Sequence, residues 1–167
     1  MPEHKYQNEG GPSIKQCFEL VRAASSTPVI DLQSLLDAVI FNWLIGNNDA
    51  HGKNFSFVYR GEVSSGLQTR LAPLYDLIST VYHPELSPKM AMKLGGEYLS
   101  ERIAPANFEG LAEEAGLARP MMKRRVLELA EAVVSKLPTV TIDHLVTAAV
   151  AKLIESRCER KIRGFTA

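Results

Sequence analysis

Between Leu32 and Ile45 lies the feature that most limits how this chain can fold. Leu32, Leu35, Leu36, Val39, Ile40, Trp43 and Leu44 recur at helical spacing, and Phe41 with Ile45 widens the apolar face almost all round. A helix of that kind has no side to give to water, so other elements must wrap it. Asp31 is expected as its cap and Gly46 as its stop. With 167 residues, 46% of them apolar, the chain can build one core around such a helix. No uninterrupted apolar run reaches the roughly 18 residues of a membrane span.

The flanking pattern is mostly helical. Ile14, Cys17, Phe18 and Val21 form one face after Pro12 and Ser13, and Ser25 to Pro28 closes that helix. Further helices are expected over Pro105 to Ala115, Pro120 to Leu137 and Ile142 to about Arg163. After Gly46 a polar stretch runs from Asn47 to Asn54. The period then becomes alternating at Phe55, Phe57 and Tyr59, and a turn from Gly61 to Gly66 precedes a second strand, Leu67 to Leu71. Met90, Met92 and Leu94 form a short apolar stretch stopped by Gly95-Gly96. The expected fold class is mainly α (α+β), with one small β-hairpin after the buried helix.

Nineteen Lys plus Arg balance nineteen Asp plus Glu, so no overall field draws the chain onto nucleic acid or anionic lipid. Two basic clusters, Arg119 with Lys123, Arg124 and Arg125, and Lys152 with Arg157, Arg160, Lys161 and Arg163, read as solvated helix faces. Cys17 and Cys158 stand far apart with no C-x-x-C pattern and read as idle thiols of a reducing compartment. The polar start has no secretory pattern, so a cytoplasmic protein is expected.

Chemistry concentrates in the loop after the buried helix. Phosphoryl transfer needs a carboxylate to accept the proton of the attacking hydroxyl, and oxygen ligands for magnesium on the nucleotide phosphates. Asp49 and Asn54 have the D-x-x-x-x-N spacing of a kinase catalytic loop, and Asp76 follows the hairpin. If the strands pair antiparallel, Asn54 lies beside Pro73, and Asp76 comes within reach of the same ion. His51 and Lys53 lie between, where a cation would steady the phosphate or neutralise Asp49. Each has a plain alternative: Asp49 and Asn54 as turn formers, His51 and Lys53 as loop braces. A phosphohydrolase cluster of Asp49, His51, Asp76 and His83 and a non-catalytic docking module are the competing functions.

Gly46-x-x-Asp49-x-His51-x-Lys53-Asn54-Phe55-Ser56 and Leu71-Ala72-Pro73-x-Tyr75-Asp76-Leu77-Ile78-Ser79 resemble the core motifs of the HipA-like serine/threonine protein kinases, toxins of bacterial toxin-antitoxin pairs. Glu9 to Ser13 and Met90 to Gly96 are similar to that family too. The resemblance implies that Asp49 is the catalytic base, that Asn54 and Asp76 hold Mg2+, and that ATP is the phosphate donor, with Lys53 a candidate phosphate contact. It implies the helical C-terminal lobe of a kinase-like fold. Residues 1–167 are then expected to form one such domain without the family's nucleotide-clamping N-terminal lobe, and to be poorly active alone. Expected partners are a protein substrate such as an aminoacyl-tRNA synthetase and an antitoxin or separate small-lobe chain. Nucleic acid would be reached only indirectly, and a membrane not at all.

Overall fold

The computed structural model describes residues 4–61, 66–140 and 144–166. Helices α1 (Ile14–Ala24) and α2 (Pro28–Ile45) lead into a hairpin of β1 (Phe57–Arg60) and β2 (Gln68–Leu71). A second hairpin, β3 (Lys89–Leu94) and β4 (Glu97–Leu99), follows, and α3 (Pro105–Ala115), α4 (Arg119–Lys136) and α5 (Leu145–Thr166) complete the order. The fold is mainly α with two small antiparallel hairpins.

Helix α2 occupies the centre, with α1, α4 and α5 against it. It is long and apolar enough to cross a membrane by length and composition, but here its side chains make the core. Leu35, Leu36, Ile40 and Leu44 are fully buried, each worth about 1.5–3 kcal/mol over exposure. Trp43 anchors the far end: its ring meets Phe108 at 5.1 Å and Phe165 at 5.8 Å, and its indole N–H donates to the Ser100 carbonyl at 3.0 Å. Gly46 then ends α2 in the left-handed region, φ 75°. A side chain there would strike Val81, with a Cβ only 2.3 Å from Cγ2, so both backbone and space require glycine.

Several sequence expectations change. Helix α2 begins at Pro28, so Asp31 is not its cap but lies within the first turn, 2% exposed. Its carboxylate takes Arg70 from β2, the Leu71 N–H at 2.8 Å and the Ser25 hydroxyl at 2.6 Å, tying α2, β2 and the end of α1 together. Burial alone would raise its pKa, but the hydrogen bonds from Arg70, Ser25 and Leu71 outweigh that and hold it below the usual carboxylate value.

The stretch around Met90 is a strand, not merely an apolar run. Met90, Met92 and Leu94 are buried on one face of β3 and Lys89 and Lys93 are exposed on the other, an alternation interrupted only by the small, buried Ala91 between the methionines. The second basic cluster is not a solvated face throughout. Arg157 is 3% exposed and donates to the carbonyls of Trp43 and Leu44 at the end of α2, the first of them shared with the Gly46 N–H, while pairing with Glu101. Lys161, also buried, donates to Ser100 O at 3.1 Å and lies 4.8 Å over the Trp43 ring. In the first cluster, Arg125 bridges α4 to Asp37 of α2 at 2.7 Å.

The first hairpin pairs Phe57 with Leu71 and Arg60 with Gln68, two residues later at its start than the alternation suggests. The centre of its turn, 62–65, and the expected start of the last helix at Ile142 lie outside the described residues.

Candidate active site

The loop leaving α2 is fastened to its surroundings at nearly every residue. Ser79 Oγ donates to Ile45 O, Val81 N–H and Thr80 Oγ1 both donate to Gly46 O, and Asn48 N–H donates to Thr80 Oγ1 at 2.8 Å. On the other side, Ala91 N–H of β3 donates to Asn48 O at 2.7 Å. Asn47 is the hub. Its Nδ2 donates to Asn42 Oδ1 and to the backbone carbonyl of Asp76, both at 2.8 Å, while its Oδ1 accepts the Asp49 N–H at 3.2 Å. One amide thus fixes the spacing between the two acidic segments.

Residues Gly52–Asn54 make one 3-10 turn. Pro12 packs so closely on Gly52 that a Cβ there would lie 2.2 Å from its ring. Asn54 is buried; its Oδ1 accepts the His51 N–H at 2.9 Å, and its Nδ2 donates to Asp76 Oδ2 at 2.5 Å. Two of the residues marked in the sequence therefore touch directly, from segments 22 positions apart. The hairpin produces this meeting, its pairing continued by Ala72 N–H to Ser56 O at 2.8 Å. Tyr75 secures the approach by donating its hydroxyl to Lys53 O and meeting Ser56 Oγ, each at 2.7 Å. Asp76 itself is left-handed, φ 58°, and no other described non-glycine residue has a positive φ. Such strain in a carboxylate-bearing residue marks a site where position outweighs comfort.

Asp49 is held from a direction the sequence did not signal. The Tyr6 hydroxyl donates to its Oδ1 at 2.7 Å, and Lys5 Nζ pairs with the same oxygen at 3.5 Å. Among the described residues, Asp49 Oδ2 accepts no hydrogen bond. The Tyr6 hydrogen bond, and secondarily the Asp49 charge, raises the Lys5 pKa above its ordinary value despite some desolvation. His51 is buried with its ring 6.3 Å from that of Tyr6, edge to face, and its Nδ1 has no hydrogen-bond partner among the described residues. That placement suits a brace better than a phosphate contact. Lys53 is exposed beside the Asn54 turn. Tyr6 was missed because its only sequence context is a polar lead, and its partner stands 43 positions away.

This geometry sits within a longer region of matched sequence: a family profile, that of the HipA-like C-terminal domain, covers residues 1–137. The chain belongs to this HipA-like family. Its relatives include "Putative kinase Y4mE" of Sinorhizobium fredii, 47% identical over 130 residues, which are 78% of this chain and 30% of that protein. The serine/threonine-protein kinase toxin HipA of Shewanella oneidensis is 31% identical over 163 residues, 93% of this chain and 36% of that one. The HipA-like chain thus spans about a third of the length of these curated relatives. Among solved structures, Shewanella oneidensis HipA in complex with HipB and operator DNA superposes with a TM-score of 0.83 at 23% identity, covering 98% of this chain and 41% of that one. At that identity the match speaks for the fold.

The HipA-like site offers a cation two hard oxygens, from the Asn54 amide and the Asp76 carboxylate, which is the donor type magnesium prefers. The fit carries one condition. The Asn54 Nδ2 contact to Asp76 has to open, after which the second lone pair of Asn54 Oδ1 is available while the first still serves the His51 N–H. The competing hydrolase cluster does not form: among the described residues no group of three His, Cys, Asp or Glu side chains could hold a metal, and His83 is a surface residue paired with Glu85 at 3.2 Å.

Proposed function

We propose that this region carries the catalytic loop of a protein serine/threonine kinase. The single supporting observation is the contact of Asn54 with Asp76 across two segments, with Asp49 locked to the same frame through Asn47 and its Oδ2 open. In the proposed reaction the acceptor hydroxyl gives its proton to Asp49 Oδ2 as its oxygen bonds the γ-phosphorus of ATP. The bond from that phosphorus to the bridging oxygen breaks, and ADP leaves with the bridging oxygen. Magnesium at Asn54 and Asp76 would supply charge neutralisation on the transferred group. Tyr6 and Lys5 keep the carboxylate turned toward the acceptor, and Lys53 is a candidate phosphate contact at the rim. His51 holds Asn54 through its backbone N–H.

The toxin-antitoxin setting belongs to the same proposal. It draws support from the Shewanella relative, whose complex includes HipB and operator DNA. By the same analogy this protein pairs with an antitoxin in the cytoplasm and phosphorylates a protein such as an aminoacyl-tRNA synthetase.

Because the chain is about a third of its relatives' length, nucleotide binding by this stretch alone is expected to be weak. Calorimetric titration with ATP, with and without magnesium, tests the metal assignment: binding should require magnesium and be lost in Asn54→Ala and Asp76→Ala. Binding indifferent to magnesium and to both substitutions defeats it. In the full-length protein, Asp49→Asn should leave nucleotide affinity intact and lower transfer by about 100-fold to 10,000-fold, the usual worth of a positioned base.

A further inference from the structure

Beside Asp49 opens a cavity of about 440 Å³ that the phosphate-side residues do not share. Its volume lies within the roughly 300–1,000 Å³ of ligand pockets. Tyr6 and Tyr98 contribute rings, and Ile78, Leu86 and Met90 contribute aliphatic surface. Ile78 is 48% exposed and Leu86 49%, so two large aliphatic side chains of the lining stand open to water, in a loop that also exposes Leu74 and Leu77. Exposed apolar surface next to polar groups in a concavity marks a contact site.

The charge pattern narrows the occupant. Two carboxylates, Glu9 and Asp49, line the cavity against one ammonium, Lys89. With Lys5 paired to Asp49 these charges balance, so a phosphate-bearing ligand finds no surplus of positive charge there, whereas the N–H and O–H donors of a peptide find carboxylate acceptors. Asn54 and Asp76, the pair suited to metal-bound phosphate, are not among the lining residues. Asp49 is, and its free Oδ2 is the group that an acceptor hydroxyl needs.

We propose that this cavity is a peptide subsite that selects an aliphatic residue beside the acceptor serine or threonine. The hydroxyl meets Asp49 at the inner end and the aliphatic side chain packs on Ile78, Leu86 and Met90. This deepens the phosphoryl-transfer reading and rests on it, but its test is a binding measurement that requires no catalysis.

The probe is a fluorescein-labelled peptide, Gly-Gly-Leu-Ser-Leu-Gly-Gly, titrated with this chain and followed by fluorescence polarisation, against a peptide with Asn in place of both Leu. The Leu peptide should bind saturably and more tightly by about tenfold or more, as an aliphatic pocket discriminates. Leu86→Glu should abolish that preference. Ile78→Asn is the second variant, and both side chains are exposed enough for the fold to survive, which circular dichroism verifies. Equal binding of the two peptides, no binding of either, indifference to both rim variants, or competitive displacement by ATP each overturns the proposal. The two readings fail separately. Peptide bound as expected but never phosphorylated by the full-length protein defeats the kinase reading and leaves the subsite standing. Equal phosphorylation and binding of both peptides defeats the subsite alone.

Discussion

Replacing Asp31 by Asn tests how the frame of the site is held. The side chain keeps its shape, but the carboxylate that binds Arg70 through Nε and Nη2, at 3.0 to 3.2 Å, becomes an amide whose nitrogen faces donors. Breaking a fully buried ion pair costs about 3–5 kcal/mol. Here Asp31 is 2% exposed but Arg70 is 37% exposed and recovers part of its hydration, which lowers the expected loss to about 2–4 kcal/mol. For a domain of this length that is a fall in Tm of roughly 4–16 °C. The sign with pH follows from the lowered native pKa of Asp31. Its contribution is fully present above the unfolded value, about 3.9, and disappears as pH falls through the native one. Urea unfolding followed by circular dichroism at pH 7 and at about pH 3 is the assay: the gap between parent and Asp31→Asn should be wide at the first and narrower at the second. A gap under about 1 kcal/mol at pH 7, the size of an ordinary surface change, or one that widens in acid, refutes the account of α2 and β2 joined by this carboxylate.

Gly46→Ala should cost about 2 kcal/mol or more, since left-handed backbone alone accounts for about 1–2 kcal/mol and Val81 must also move; thermal unfolding reads it, and an unchanged Tm would contradict the packing. Tyr6→Phe in the full-length protein should lower kcat about fivefold to tenfold with KM unchanged, because it frees a half-exposed carboxylate rather than a substrate contact; a change in KM alone argues against a positioning role. Both thiols should react slowly with a disulfide reagent at pH 8, burial pushing Cys17 and Cys158 up to about 11, and rapid modification of the folded protein would show a core more open than described.

What could be read in advance follows a physical division. Local periodicity announced α2, since an all-round apolar helix has one destiny, and the alternation before Arg60 announced the first hairpin. From these the meeting of Asn54 and Asp76 followed as chain geometry. Interactions that join distant segments left no local trace. Asp31 has the composition of a cap and works as a tie to Arg70; Arg157 and Lys161 look like a charged helix face and are buried under the end of α2. Strand β3 sets Met90, Met92 and Leu94 against exposed Lys89 and Lys93, but the buried Ala91 between the methionines makes so short a run read as plain apolar sequence. Tyr6 reaches Asp49 only because the lead folds back over the loop, its Gln7 side chain accepting the Lys93 N–H of β3 at 2.8 Å. The open Oδ2 of Asp49 is a consequence of where Tyr6 docks, and no motif spacing encodes it.

Arg157 reaches the end of α2 from α5, which lies wholly beyond residue 137, where the family match stops. Trimming the protein at residue 137 would therefore delete no residue of the loop yet take away the guanidinium on Trp43 O and Leu44 O and the ammonium over the Trp43 ring. A helix outside the family profile thus braces the loop inside it, and engineers who shorten such proteins to the profile alone would discard the brace first.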